Sequence, residues 1–142
     1  MIWATSITDA SFCPQSRAGA WAAWIRVDGV RETIKRHGLF SQPPENVNYA
    51  EMMAALNGVW LSARAGAQAV MIQTDSMSAV AAAEGRHRLY SEWWREQMVA
   101  AGISHIILKP RHVKGHTAIK DARSYVNRWC DAKALQLMRK SR

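Results

Sequence analysis

Two short stretches carry the chemistry-bearing residues of this chain. "SITDAS" (Ser6 to Ser11) and "VMIQTDS" (Val70 to Ser76) each run β-like residues into Thr-Asp and then small residues. A single Asp in such a place is ordinarily a turn residue, but the repeat suggests that Asp9 and Asp75 end two different strands at one place. If those strands are neighbours, the two carboxylates lie side by side, which is unfavourable unless cations separate them. Mg²⁺ suits such a site, because it is commonly held by a few carboxylates together with water and phosphate oxygens.

Two further acids stand out by position. Glu51 falls in what the pattern gives as the first turn of a long helix, where the macrodipole favours an acid. On a helical wheel it lies nearly opposite the apolar stripe of Tyr49, Met52 and Leu56, so periodicity alone makes it a solvated residue. Asp131 follows "NRWC" in a last helix and is the only acid after Asp121 in a basic segment. His116, in the polar sequence Lys-Gly-His, reads on its own as an exposed loop histidine.

The elements that must hold these residues follow from periodicity. Residues 2–8 read as a strand leading into Asp9, 18–27 as a second strand, Asp28-Gly29 as a hairpin turn, and 30–40 as a third strand. The Pro pair in "SQPPENVN" makes 41–48 a loop. Tyr49, Met52, Met53, Leu56, Val59, Trp60 and Ala63 give a helix stopped near Gly66, and Ala69 to Thr74 a short strand buried on both faces. Residues 76–84 and 89–101 are two helical stretches. Residues 104–113 read as a strand that Pro110 confines to an edge, and roughly 125–139 as a final helix. Trp93 and Trp94 are about 100° apart on their helix, so one is expected in the core and its neighbour partly exposed. A meander followed by alternating helices and strands implies a mixed sheet with helices on its faces.

Composition agrees with a single domain over 1–142. The chain has 142 residues, 49% of them hydrophobic. A chain of this length buries enough surface for an ordinary core. Cys13 and Cys130 have neither disulfide-framework nor zinc spacing, and reduced thiols in a cytoplasm are the simplest reading. The longest apolar run, Ala18 to Ile25, is far short of a membrane helix. The formal net charge is +8, and residues 1–104 hold nine basic and nine acidic residues, so the excess sits in the last quarter. Such a field favours a polyanion, nucleic acid first; the plainer alternative is a basic tail that keeps the chain soluble.

Taken in order, "ITDASF", "NYAEMMAAL", "TDSMSAV", "VKGHT" and "NRWCDAKA" resemble the motifs of ribonuclease H type 1. The resemblance implies the ribonuclease H fold, an α/β five-stranded mixed sheet of order 3-2-1-4-5 with helices on both faces. It implies metal-binding acids at Asp9, Glu51, Asp75 and Asp131 and a mobile-loop histidine at His116. The expected activity is hydrolysis of the RNA strand of RNA–DNA hybrids, with two Mg²⁺ ions as cofactor and Mn²⁺ as the alternative ion. On this reading Asp9 bridges the ions, and His116 assists proton movement or product departure. Asn48 matches a minor-groove asparagine, and Gln15 stands near a second polar contact. Lys109, Arg111, Lys114 and Lys120 would grip phosphates with little sequence preference.

There are departures from the family pattern. The turn after Asp9 holds a single Gly, and Met77 stands where a glutamine is common. The stretch from His116 to Asp131 is longer than in bacterial members, and Gly85 to Gln97 replaces a lysine-rich protrusion. The partner expected is a hybrid duplex, with no membrane and no obligate protein partner. Two other readings remain: a nuclease of this fold acting on branched or duplex DNA, and a catalytically silent nucleic-acid-binding module. Retention of the four acids argues against the last.

Overall fold

A computed structural model describes residues 1–113, 129, 132 and 134–140. Its elements run β1 (Trp3–Phe12), β2 (Gly19–Val27), β3 (Ile34–Leu39), α1 (Val47–Arg64), β4 (Ala69–Thr74), α2 (Met77–Glu84), α3 (Arg88–Ala100) and β5 (Ile107–His112). Residues 129, 132 and 134–140 are also helical. The strands form one sheet in the order β3-β2-β1-β4-β5. The first three strands pair antiparallel, whereas β4 runs parallel to both β1 and β5. This is the mixed sheet the sequence implied, with Pro110 on an edge strand. No helix among the described residues is long and apolar enough to cross a membrane.

Several boundaries differ from the periodic reading, each for a local reason. β1 continues to Phe12, so Asp9 lies inside the strand, opposite Ala22 of β2. Val30 closes the Asp28-Gly29 turn by donating its N–H to the Val27 carbonyl (3.0 Å), and β3 starts only at Ile34. Gly29 has φ of 82°, the left-handed conformation that a Gly supplies without strain. Ile103 and Ile106, both buried, close a turn in which the Ile106 N–H donates to the Ile103 carbonyl (3.1 Å), and β5 begins after it.

The main core lies between the sheet and the three helices. Ala4, Val70 and Ile72 face it from the central strands, and Met52, Val59 and Trp94 from the helices. Trp94 is 2% exposed, while Trp93 is half-buried with its ring edge-on to Tyr49 (5.2 Å), as the 100° offset requires. The opposite sheet face carries a smaller cluster of Ile7, Ala22 and Ala134, flanked by Trp24 and Trp129 in edge contact at 5.4 Å.

α1 approaches β1 through small residues. A Cβ built on Gly58 would overlap Ser6 Oγ and lie 2.8 Å from Thr8 Cγ2. Ala50 and Ala54 pack on Ala10 nearer the helix N-terminus. The seam of α1 against β1 is thus made of residues that hydrophobic periodicity weighs least, while Met52, Leu56 and Val59 face the main core and Trp60, the helix's largest apolar residue, is 39% exposed.

Candidate active site

The parallel pairing of β1 and β4 matches Ile7 with Gln73. Continued by two residues, that register brings Asp9 and Asp75 to the same level. Asp9 is 3% exposed. Its Oδ1 accepts from the Ala10 N–H (2.9 Å). Asp75 follows β4 directly, in a turn where the Ser76 N–H donates to Thr74 Oγ1 (3.1 Å) and Ser76 Oγ then caps α2 by accepting from the Ala79 N–H. On its other side the β4 exit is tied to β5. The Val113 N–H donates to the Thr74 carbonyl (2.8 Å), and His112 Nε2 meets the Asp75 carbonyl at 3.2 Å.

Glu51 arrives from the third side. α1 is capped by Asn46, whose side chain accepts from the Tyr49 N–H (3.1 Å). The helix therefore starts at Val47, and its first turn contains no acid. Two expectations are corrected here. Glu51 is not in the first turn, so the macrodipole does not explain it, and it is half-buried rather than solvated. The reason is the close seat of α1 on the sheet: the small face at Ala50 and Ala54 lets the helix lie against β1. Glu51 Oε1 can then accept from the Ala10 N–H (3.3 Å), the same donor that serves Asp9.

The result is a convergence of three carboxylates. One oxygen from each of Asp9, Glu51 and Asp75 lies within 4.8 Å of the others. Burial, then the charges of Asp9 and Asp75, push the Glu51 carboxyl well above the usual carboxylate range. Hard oxygen donors crowded with like charge are the chemistry that a dication satisfies, so the residues present fit Mg²⁺ or Mn²⁺.

The other candidates fall in three places. Asn48, in the first turn of α1, is half-buried and donates through Nδ2 to the Tyr90 hydroxyl (3.2 Å), beside the contact of Tyr90 with Tyr49 at 5.3 Å. Gln15 is exposed in the turn between β1 and β2, where its Oε1 accepts from Cys13 Sγ (3.3 Å). Lys109 and Arg111 are exposed on β5, opposite Met71 and Gln73 of β4. Asp131, His116, Lys114 and Lys120 lie outside the described residues. Sequence reasoning overlooked the Ala10 N–H, the His112 imidazole at the Asp75 carbonyl, and Gln73, which is 3% exposed two residues before Asp75. Of these only Gln73 leaves a signal in the sequence, as the single amide in an apolar strand.

No family model matches the sequence, and no curated protein does. Solved structures do match. The N-terminal RNase H domain of a Mycobacterium tuberculosis protein, solved as a fusion with maltose-binding protein, has a TM-score of 0.74 at 14% identity, covering 99% of this chain and 96% of that one. RNase H1 from the halophilic archaeon Halobacterium salinarum has a TM-score of 0.71 at 13% identity, covering 97% of this chain and 98% of that one. LC11-RNase H1 in complex with RNA/DNA hybrid has a TM-score of 0.67 at 13% identity, with the same coverages of 97% and 98%. The chain has the ribonuclease H fold, the fold implied by its resemblance to ribonuclease H type 1.

Proposed function

We propose that this protein is a metal-dependent endonuclease of the ribonuclease H type, which hydrolyses the RNA strand of RNA–DNA hybrids to 5′-phosphate and 3′-hydroxyl products. The observation that carries the reading is the convergence of Asp9, Glu51 and Asp75 at the ends of the parallel β1–β4 pair and the start of α1. Burial, and then the charges of Asp9 and Asp75, raise the proton affinity of Glu51 at this point, as expected where acids are gathered to hold a cation. A structurally similar RNase H1 is solved with an RNA/DNA hybrid, which supports the hybrid as substrate.

Asp9, Glu51 and Asp75 would hold the divalent ions, with Asp131 completing the set on the strength of the sequence resemblance. Bound there, two such ions supply an activated water and neutralise charge on the scissile phosphate and the leaving oxygen. The chain's own groups prepare the site. The Ala10 N–H fixes Asp9 and Glu51 together. The capped start of α2 and the β5 contacts fix the backbone at Asp75. His116 would move a proton or aid product departure, so its loss should cost less than loss of Asp9. Asn48, steadied by Tyr90, and Gln15 would meet the minor groove, where 2′-hydroxyls distinguish RNA from DNA.

The deciding experiment incubates the protein with Mg²⁺ and labelled RNA–DNA hybrid, double-stranded RNA, duplex DNA or a four-way junction, alongside Asp75→Asn. Cleavage confined to the RNA strand of the hybrid, and lost in the variant, is expected. Junction cutting without hybrid cleavage would replace this reading with a resolvase-like one. Binding without any cleavage would leave a silent binding module.

A further inference from the structure

The sheet face that bears the carboxylates also holds Gln73, which neither the core nor the metal-binding acids account for. It is 3% exposed, and its Oε1 has no protein hydrogen-bond partner among the described residues. Among the described residues its Nε2 makes only a 3.5 Å contact to Met71 Sδ. A buried amide oxygen left unpaired is destabilising, and such groups are uncommon enough in folded proteins to call for a reason.

Register supplies the neighbours. Gln73 stands opposite Ile7 of β1 on one side and Arg111 of β5 on the other, two residues before Asp75. Adjacent strands lie about 4.8 Å apart, and residues two apart on a strand about 6.6 Å. The amide is therefore within side-chain reach of both the Arg111 guanidinium and the carboxylates. Arg111 is exposed on the edge strand and has no ion pair with a described residue. The register thus pairs a residue whose acceptor lacks a donor with one that has five donors and no acceptor, although no hydrogen bond joins them in the free chain.

We propose that Gln73 is a positioning residue: when nucleic acid binds, its Oε1 accepts from the Arg111 guanidinium, a bond absent from the free chain, and holds it along the sheet face, so that the remaining N–H groups grip a backbone phosphate of the strand beside Asp75. The inference rests on the nuclease reading and deepens it. A planar guanidinium can give one edge to an amide and a second to a phosphate, a division that a lysine ammonium cannot reproduce with fixed geometry. Lys109 lies one alternation earlier on the same face of β5 and contributes charge without that geometry. The diagonal from Arg111 to Asp75 is about 8 Å by strand geometry, on the scale of one nucleotide step. Phosphates bound at the two positions would accordingly be neighbours on one strand.

The test measures binding of the full chain to labelled RNA–DNA hybrid by fluorescence anisotropy in EDTA, across a salt series, for Gln73→Met, Arg111→Ala, the double variant and Arg111→Lys. Arg111→Ala should weaken binding about tenfold. It should also reduce the slope of log K against log salt by about one. Gln73→Met should weaken binding about threefold in the wild-type background and leave the Arg111→Ala variant unchanged. Arg111→Lys should keep the salt slope and still lose about threefold in affinity. An equal effect of Gln73→Met in both backgrounds would mean that the amide is merely structural, and an unchanged salt slope in Arg111→Ala would remove the phosphate contact. Either result overturns the proposal. Should Gln73→Met fail to fold, Arg111→Lys decides alone, since full affinity with lysine overturns it. Wild-type protein that binds the hybrid but does not cleave it with Mg²⁺ defeats the nuclease reading and leaves this binding test intact.

Discussion

The two faces of the central strands are made from alternate residues of the same short segments, yet they do different work. On β4, Val70 and Ile72 point into the apolar core under the three helices, while Gln73 and then Asp75 belong to the other side. On β1, Ser6 and Thr8 lie against α1, while Ile7 joins the small cluster with Ala22 and Ala134, and Asp9 sits one alternation further on. The face under α1, α2 and α3 buries apolar side chains and carries stability. The other ends in like charges that oppose stability until something cationic joins them. A period of two residues keeps these roles apart, so changes one residue apart should differ in kind.

The sharpest break between the faces should come from Asp9→Asn. Cleavage of the hybrid with Mg²⁺ should fall about a thousandfold or more, the scale expected when a metal-holding group is lost. The melting temperature should stay level or rise, because a buried like charge is removed. A large loss of stability with activity retained would invert the comparison.

Ile72→Ala tests the helix-covered face of the same sheet. Truncating a fully buried aliphatic residue should cost about 2–5 kcal/mol in urea unfolding. Calorimetric Mg²⁺ binding by the folded protein should be nearly unchanged. Weakened ion binding in proportion to the lost stability would show that the two faces are not separable.

Gly58→Ala probes the seam that brings Glu51 to the sheet. Alanine gains about 1 kcal/mol in helix propensity, but the overlap with Ser6 and Thr8 costs about 1–3 kcal/mol. The expected net effect is destabilisation by about 1 kcal/mol with reduced activity, because the shift in α1 moves Glu51. A stabilised variant would mean that the helix does not sit so close.

The mildest effect concerns pH. Burial, Asp9 and Asp75 raise the Glu51 pKa in the fold above its unfolded value. Its contribution to stability is therefore complete below the unfolded pKa and is lost as pH rises through the folded one. Metal-free Glu51→Gln should become progressively more stable than wild type as pH rises above the ordinary glutamate range, and Mg²⁺ should narrow the gap by stabilising wild type. A gap that stays constant with pH would show that Glu51 is not under this strain.

Much of this was legible in the residues. The mixed sheet follows from a meander joined to alternating helices and strands, its strand order is implied only by the resemblance to ribonuclease H type 1, and the Thr-Asp-small repeat points to Asp9 and Asp75 as acids that meet. The offset of Trp93 from Trp94 foretold which of the pair is more buried only as an alternation, and packing chose Trp94. Periodicity misplaces Glu51 because the seam that brings α1 onto β1 is built from Ala50, Ala54 and Gly58, residues with almost no hydrophobic signature. Gln73 was passed over because nothing local says that an amide in an apolar strand lies beside an arginine on another strand.

The sequence by itself determined what depends on neighbours a few positions apart: the alternation that separates core from chemistry, the turn at Asp28-Gly29, and the placement of basic charge toward the C-terminal quarter. Only the tertiary structure decided how near Asp9, Glu51 and Asp75 come, which amide they share at Ala10, and what flanks Gln73. Those distances are set by how closely one helix can lie on a sheet and how one strand registers with the next, and contacts between segments dozens of residues apart leave no period in the chain to read.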